Sequence, residues 1–218
     1  ECVASSLGTP AHERTPLRCP PASLQALVEA GFDVMSVANN HSMDFGRAAF
    51  DDSLKQLRQH HLLALGAASM RHQPQTALVL VKRGVRIGLL GYFHPPPKPY
   101  DDVTKARRDV DVLIVFNHWG RENRAEPMPQ QRQLARALID AGADAIVGCH
   151  AHVVQPVESY RGKPIIYGLG NFVFDAMPLN EARRRGAIAE LDVTVRGVVA
   201  RPLVATRMDE HLRPVVVP

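Results

Sequence analysis

Two kinds of apolar spacing alternate along this chain, one recurring at helical intervals and one unbroken or period-two, and together they predict an α/β fold. Leu24, Leu27 and Val28 fall on one helical face after Pro20-Pro21, so a helix is expected through Ala30, with Gly31 ending it. Asp33 to Ala38 follows as a short apolar strand that runs straight into Asn39-Asn40-His41. From Gly46 to about Gln59 the positions Phe50, Leu54 and Leu57 again repeat at helical spacing, so the His41 loop joins a strand to a helix. Leu62 to Leu65 reads as a short strand closed by Gly66. Thr76 to Lys82 and Val85 to Phe93 are apolar, β-branched runs around Arg83-Gly84, the pattern of a hairpin.

In the second half, Val112 to Phe116 is a run of consecutive apolar residues, the mark of a strand covered on both faces, and it ends at Asn117-His118-Trp119-Gly120. Gln130 to Ala141 predicts a helix with Leu134, Leu138 and Ile139 inward and Gly142 as its stop. Ala145 to Val147 is a further strand, ending at Gly148-Cys149-His150-Ala151-His152. The segments Ala30-Gly31-Phe32-Asp33 and Ala141-Gly142-Ala143-Asp144 repeat one local plan of helix, Gly, Asp, strand and histidine loop. Pro164 to Tyr167, Phe172 to Phe174, Ala187 to Val195 and Val198 to Ala205 supply more strands, with a turn at Arg196-Gly197. Residues 1 to 21, rich in Pro, Ser and Thr, read as a surface connection, and Pro95 to Pro99 as a proline-rich loop. No linker or low-complexity tract divides the sequence, so one domain over residues 1–218 is expected.

Composition narrows the class. A chain of 218 residues, 45% hydrophobic and 22% charged, can bury a substantial core and is neither disordered nor fibrous. The formal charge of +4 is not gathered into a cationic stripe, so nucleic acid is not an expected partner. No run approaches the roughly 20 apolar residues of a membrane helix, and the first residues lack a signal-peptide pattern. The start at Glu1, without methionine, reads as an N-terminal truncation, which leaves the compartment open. Cys2, Cys19 and Cys149 make neither a metal-type pair nor an even disulfide set. A Cys2 to Cys19 bridge is one option; separate thiols, with Cys149 buried beside the site, is the preferred one.

The candidate chemistry sits at strand ends. Asn40, His41 and Asp44, then His118 and Glu122, then His150 and His152 each follow a predicted strand, and in α/β sheets the crevice beyond the carboxyl ends of strands is where sites are built. Imidazole suits zinc, iron and manganese, binding through one nitrogen while the other is oriented by an acceptor. His150 and His152, two apart in what reads as an extended segment, are expected to point the same way. Metal hydrolases need a water of lowered pKa and a cation that stabilises the charge developing on the attacked centre. Asn40 suits a metal ligand, His41 a proton donor to the leaving group, and Asp44 the partner that fixes the His41 tautomer.

These motifs resemble a known series. Ala38-Asn39-Asn40-His41 with Asp44-Phe45-Gly46, His118-Trp119-Gly120 with Glu122, Gly148-Cys149-His150-Ala151-His152-Val153-Val154-Gln155 and Gly168-Leu169-Gly170-Asn171-Phe172 look like the motifs of CapA-type capsule-synthesis proteins, poly-gamma-glutamate relatives of the calcineurin-like metallophosphoesterases. The resemblance spans about residues 1 to 175. It implies a four-layer αββα sandwich of the metallophosphatase type, here lacking its first strand and first metal motif. It also implies two divalent transition metal ions (Mn, Fe or Zn), membrane association or export, and an acidic polymer or phosphoester as substrate. Carried over by position, Asn40, His118, His150 and His152 resemble metal ligands, Glu1 matches the acidic end of a further ligand segment, and His41 with Asp44 resembles the acid and its orienting partner. Trp119, Glu122 and Asn171 are the candidate substrate contacts, with loop shaping as the alternative for Trp119 and Glu122 and hydrogen bonding to loop backbone as the preferred reading of Asn171. Asn123 departs from the family, which usually has an aromatic residue there.

Other features have plainer readings: His60-His61 as a solvated helix end and Gln155 as a loop hydrogen-bonder. Arg183-Arg184-Arg185 reads as a solvated run, with polyanion contact as the alternative. Two functions compete with a metal-dependent hydrolase or transferase acting on a phosphoester or glutamyl amide. One is a non-catalytic, metal-stabilised component of a capsule-polymer synthase with membrane subunits. The other is a 5′-nucleotidase-like phosphoesterase, since Asn40-His41 with Asp44-Phe45-Gly46 also resembles a segment of those enzymes.

Overall fold

A computed structural model describes residues 1–11, 15–93, 99–175 and 180–217. The chain is α/β, and it forms two compact units: Glu1–Gln73 with Gly91–Phe93, and Pro74–Leu90 with His94–Pro218.

In the first unit, β1 (Val3–Ala4) pairs in parallel with β2 (Arg18–Cys19), followed by α1 (Leu24–Glu29), β3 (Val34–Ser36), α2 (Gly46–Gln59) and β4 (Leu63–Leu65). β3 and β4 are parallel, joined through α2, with Met35 opposite Ala64. α2 buries Ala49, Phe50, Ser53 and Leu57 on one face, as its apolar spacing predicts. Ala4, Leu24, Leu57 and Leu62 form one small core, and Val3, Phe45 and Ala49 another.

The opening segment therefore corrects the sequence reading: Val3, Ala4 and Ser5 are buried, not part of a surface connection. They are held by hydrogen bonds that composition does not reveal, from Ala4 N–H to Ser53 Oγ at 3.2 Å and from Ser5 Oγ to Asp52 at 2.6 Å. Cys2 and Cys19 are free thiols, hydrogen-bonded to each other. That bond pushes the Cys2 thiol up, while on the other side it draws Cys19 down to about 6.

The second unit is built on β5 (Leu78–Lys82), β6 (Val85–Phe93, whose last residues belong to the first unit), α3 (Pro99–Ala106), β7 (Val112–His118), α4 (Pro129–Asp140), β8 (Ala145–Cys149), β9 (Val157–Tyr160) and β10 (Lys163–Ile166). Their sheet has the order β5-β6-β7-β8-β10-β9 and is mixed: β7, β8 and β10 run parallel, while β5–β6 and β9–β10 are antiparallel hairpins. Arg83 and Gly84 both have positive φ, 50° and 80°, the backbone a two-residue hairpin turn demands. The aspartate of the repeated Gly–Asp punctuation has a clear task in its second copy. Asp144 Oδ2 accepts from Leu113 N–H at 2.9 Å, its own N–H donates to Leu113 O, and Arg107 and Lys163 neutralise it.

Beyond the main sheet lie α5 (Glu181–Arg184), β11 (Arg185–Ile188), β12 (Leu191–Thr194), β13 (Gly197–Ala200), β14 (Val204–Met208) and β15 (Pro214–Val216), paired as β11-β14-β15 and β12-β13. Several predicted elements change here. The long runs 187–195 and 198–205 each split in two. The second split falls at Arg201-Pro202, where proline withdraws a ladder donor. The hairpin turn is Val195-Arg196, with Gly197 already paired to Thr194. Phe172 to Phe174 forms no strand; Phe172 and Val173 are exposed, and the Phe174 ring lies 4.8 Å from that of His152. Of the predicted proline-rich loop, residues 95–98 lie outside the described residues and Pro99 opens α3. No helix among the described residues is long and apolar enough to cross a membrane.

Candidate metal centre

Strand register brings the histidines of the second unit together. His118, the last residue of β7, lies opposite Cys149, the last of β8, in a parallel pair. His150 therefore leaves the sheet at the same end as His118, and their ring centroids are 4.6 Å apart. His150 and His152 are 6.0 Å apart by the same measure. The segment between them is not extended as the sequence suggests: His150 has φ 96° and His152 φ 57°. Such conformations cost a non-glycine residue roughly 1–3 kcal/mol, and strain of this kind collects where function holds a loop in place.

Hydrogen bonds determine which His152 nitrogen could bind a cation. Asn171 Nδ2 donates to Arg183 O at 2.9 Å and to His152 O at 3.5 Å, which orients the amide so that Oδ1 faces His152 Nδ1 at 2.8 Å. An amide oxygen only accepts, so the neutral His152 ring carries its proton on Nδ1 and its lone pair on Nε2. His118 is held from the same side: its Nδ1 lies 3.2 Å from Cys149 Sγ, which is also 3.7 Å from Asn117 O. Cys149 is exposed, not buried as expected, yet its sulfur orients the His118 ring.

Glu122 joins this group. One ligand atom each from Glu122, His150 and His152 lie within 4.8 Å of one another, a donor set of two imidazoles and one carboxylate that fits a divalent transition metal. Sequence reasoning placed Glu122 at the substrate or in shaping the loop. The signal that could have found it is the parallel register of β7 and β8, which sets the residues after His118 beside those after Cys149. Trp119 is buried, its indole N–H donating to Tyr167 O at 3.0 Å and its ring stacked on Tyr167, so the side chain is committed to packing. Asn171 is buried behind His152.

The remaining sequence candidates belong to the first unit. His41 Nδ1 lies 2.8 Å from Asp44 Oδ2, and the same oxygen accepts from Leu17 N–H at 2.8 Å. Asp44 is 1% exposed and His41 18%, so the carboxylate is anchored and the ring reaches the surface. With Nδ1 bound to the carboxylate, Nε2 is the nitrogen left for proton transfer. Asn40 is half-buried one residue before, and Glu1 is exposed.

The α/β sheet thus gathers three imidazoles and a carboxylate at the ends of parallel strands, a donor set that could hold a metal. The family described as "Bacterial capsule synthesis protein PGA_cap" matches residues 1–176, and the chain belongs to it. Among relatives, the "PGA biosynthesis protein CapA" of Bacillus subtilis is 37% identical over 172 residues, covering 70% of this chain and 45% of its own. A Mycobacterium tuberculosis protein named "Probable polyglutamine synthesis accessory protein" is 30% identical over 188 residues, covering 72% of this chain and 49% of its own. The chain thus spans under half the length of these relatives. A crystal structure of a hypothetical protein from Thermus thermophilus is similar at TM-score 0.57 and 16% identity, covering 90% of this chain and 80% of that one, a likeness of fold alone.

Proposed function

We propose that this chain is part of a CapA-like protein of poly-gamma-glutamate capsule biosynthesis, working in a membrane-associated or exported setting as a dinuclear metal-dependent hydrolase or transferase on a phosphoester or glutamyl amide. The observation that carries the metal reading is the gathering of His118, His150, His152 and Glu122 at one end of β7 and β8. Two divalent ions of the Mn, Fe or Zn type would supply a water of lowered pKa and charge neutralisation at the attacked centre.

The chain's own residues prepare that chemistry. Asn171 Oδ1 at His152 Nδ1 leaves Nε2 as that ring's metal-facing nitrogen and raises its basicity, and Cys149 Sγ at His118 Nδ1 fixes the second ring. His41, held by Asp44, has the form of a general acid for the leaving group. Asn40 and Glu1 enter as ligands through the family resemblance. Trp119 shapes the loop that carries Glu122.

Equilibrium dialysis with Mn2+ followed by hydrolysis of a bis-aryl phosphate and of a γ-glutamyl anilide tests this. His150→Ala is expected to lose bound metal and turnover together; a variant unchanged in both would overturn it. The accessory name of the mycobacterial relative favours a second reading, a non-catalytic, metal-stabilised synthase component. Stoichiometric metal with no turnover on either substrate class selects that one.

A further inference from the structure

We infer that Glu122 is a direct protein ligand of the cation held by His150 and His152, completing a two-histidine, one-carboxylate site within the second unit. The inference rests on the metal-dependent reading above and deepens it.

Glu122 is positioned by the backbone around it. Its loop is stitched to the histidine loop at three points: Trp119 N–H to Cys149 O at 3.2 Å, Asn123 N–H to Ala151 O at 2.7 Å, and Gln155 Nε2 to Arg124 O at 2.8 Å. Glu122 lies between the first two stitches, opposite His150 and His152. Asn123 adopts φ 60°, and its Oδ1 accepts from Arg183 Nε at 2.6 Å, fixing the residue after Glu122 as well. A carboxylate that only faced solvent would need none of this.

Distance and charge agree with the assignment. Donor atoms bound to one transition metal at about 2.0–2.2 Å sit roughly 3 Å apart at neighbouring positions. The three here are already within 4.8 Å of one another, and small side-chain rotations, easiest at the exposed Glu122, bring them to that spacing. Two neutral imidazoles leave a dication's charge uncompensated; one carboxylate supplies the anion, and the mixed nitrogen and oxygen set suits Mn, Fe and Zn.

The test is direct metal binding by the full chain, with Co2+ absorption and Mn2+ competition as readouts. Glu122→Gln should weaken Co2+ binding by about tenfold or more and alter its visible spectrum, with Glu122→Asp intermediate. The metal-free melting temperature should be unchanged in both. Wild-type affinity and spectrum in Glu122→Gln, with only KM altered, would overturn the assignment and leave the metal reading standing. Should the unsubstituted chain bind neither ion, both fall together.

Discussion

Asn171 and His152 fix one another: the Asn171 amide is oriented by two carbonyl acceptors, and its Oδ1 then holds His152 Nδ1 at 2.8 Å. The same amide bridges to Arg183, so one buried residue positions His152, a proposed metal ligand, and the segment beside it. Asn171→Leu should therefore lower Mn2+ affinity by roughly 10–100-fold, the usual effect of losing a ligand's orienting partner. It should also cost about 1–3 kcal/mol, because buried carbonyls lose their donor. Metal titration and urea unfolding read the two effects separately, and unchanged metal affinity would remove Asn171 from any supporting role.

Asp44 orients His41 from a buried position. Asp44→Ala removes the one oxygen that both His41 Nδ1 and Leu17 N–H use, so the His41 ring loses the partner that fixes its tautomer and orientation. If His41 is the acid, turnover should fall by about 10²–10⁴, the range for a disabled general acid, while bound Mn2+ stays constant. A variant with undiminished kcat would show that the pair only braces its loop.

Much of this arrangement is legible before any coordinates. The buried face of α2, the strand β6 and the apolar run of β7 follow from spacing alone, because each has enough residues for periodicity to register. Two-residue strands such as β1 and β2 do not, and Val3 and Ala4 look like loop until α2 is packed against them. The site divides in the same way. His118, His150 and His152 are visible as motif residues, whereas the role of Glu122 depends on loop-to-loop hydrogen bonds such as Asn123 to Ala151. Phe172 to Phe174 misleads because three apolar residues in a row suit a strand as well as a loop that lays Phe174 against His152.

A pH effect should localise to the junction of α5 with β14. The Arg207 guanidinium holds Glu181 through two 3.0 Å bonds, and with Arg185 it lowers that carboxyl to about 2 from an ordinary 4.5. A carboxylate depressed on folding adds stability that is present above its unfolded pKa and fades as pH falls through its folded one. The difference in urea midpoint between wild type and Glu181→Gln should thus be constant above pH 4.5 and shrink toward pH 2. Because the pair is solvent-exposed, it should be small throughout and diminish in salt. A difference that grew on acidification would contradict this account.

Gly148 offers the sharpest link between packing and the proposed metal centre. It pairs with Asn117 in the β7–β8 ladder, two residues before His150. A β-carbon there would strike the Tyr167 carbonyl oxygen and Trp119 Nε1, the two atoms that form the 3.0 Å hydrogen bond between these residues. Neither partner yields easily, since one is backbone and the other belongs to a buried ring. Gly148→Ala should therefore cost at least about 1–3 kcal/mol as an overpacked core site and weaken Co2+ binding by displacing the histidine loop. At Gly162, where a β-carbon meets nothing within 4 Å and φ is 74°, the same substitution should cost only about 1 kcal/mol and leave Co2+ binding untouched. Equal effects at the two positions would mean that the contact with Tyr167 and Trp119 does not support the histidines.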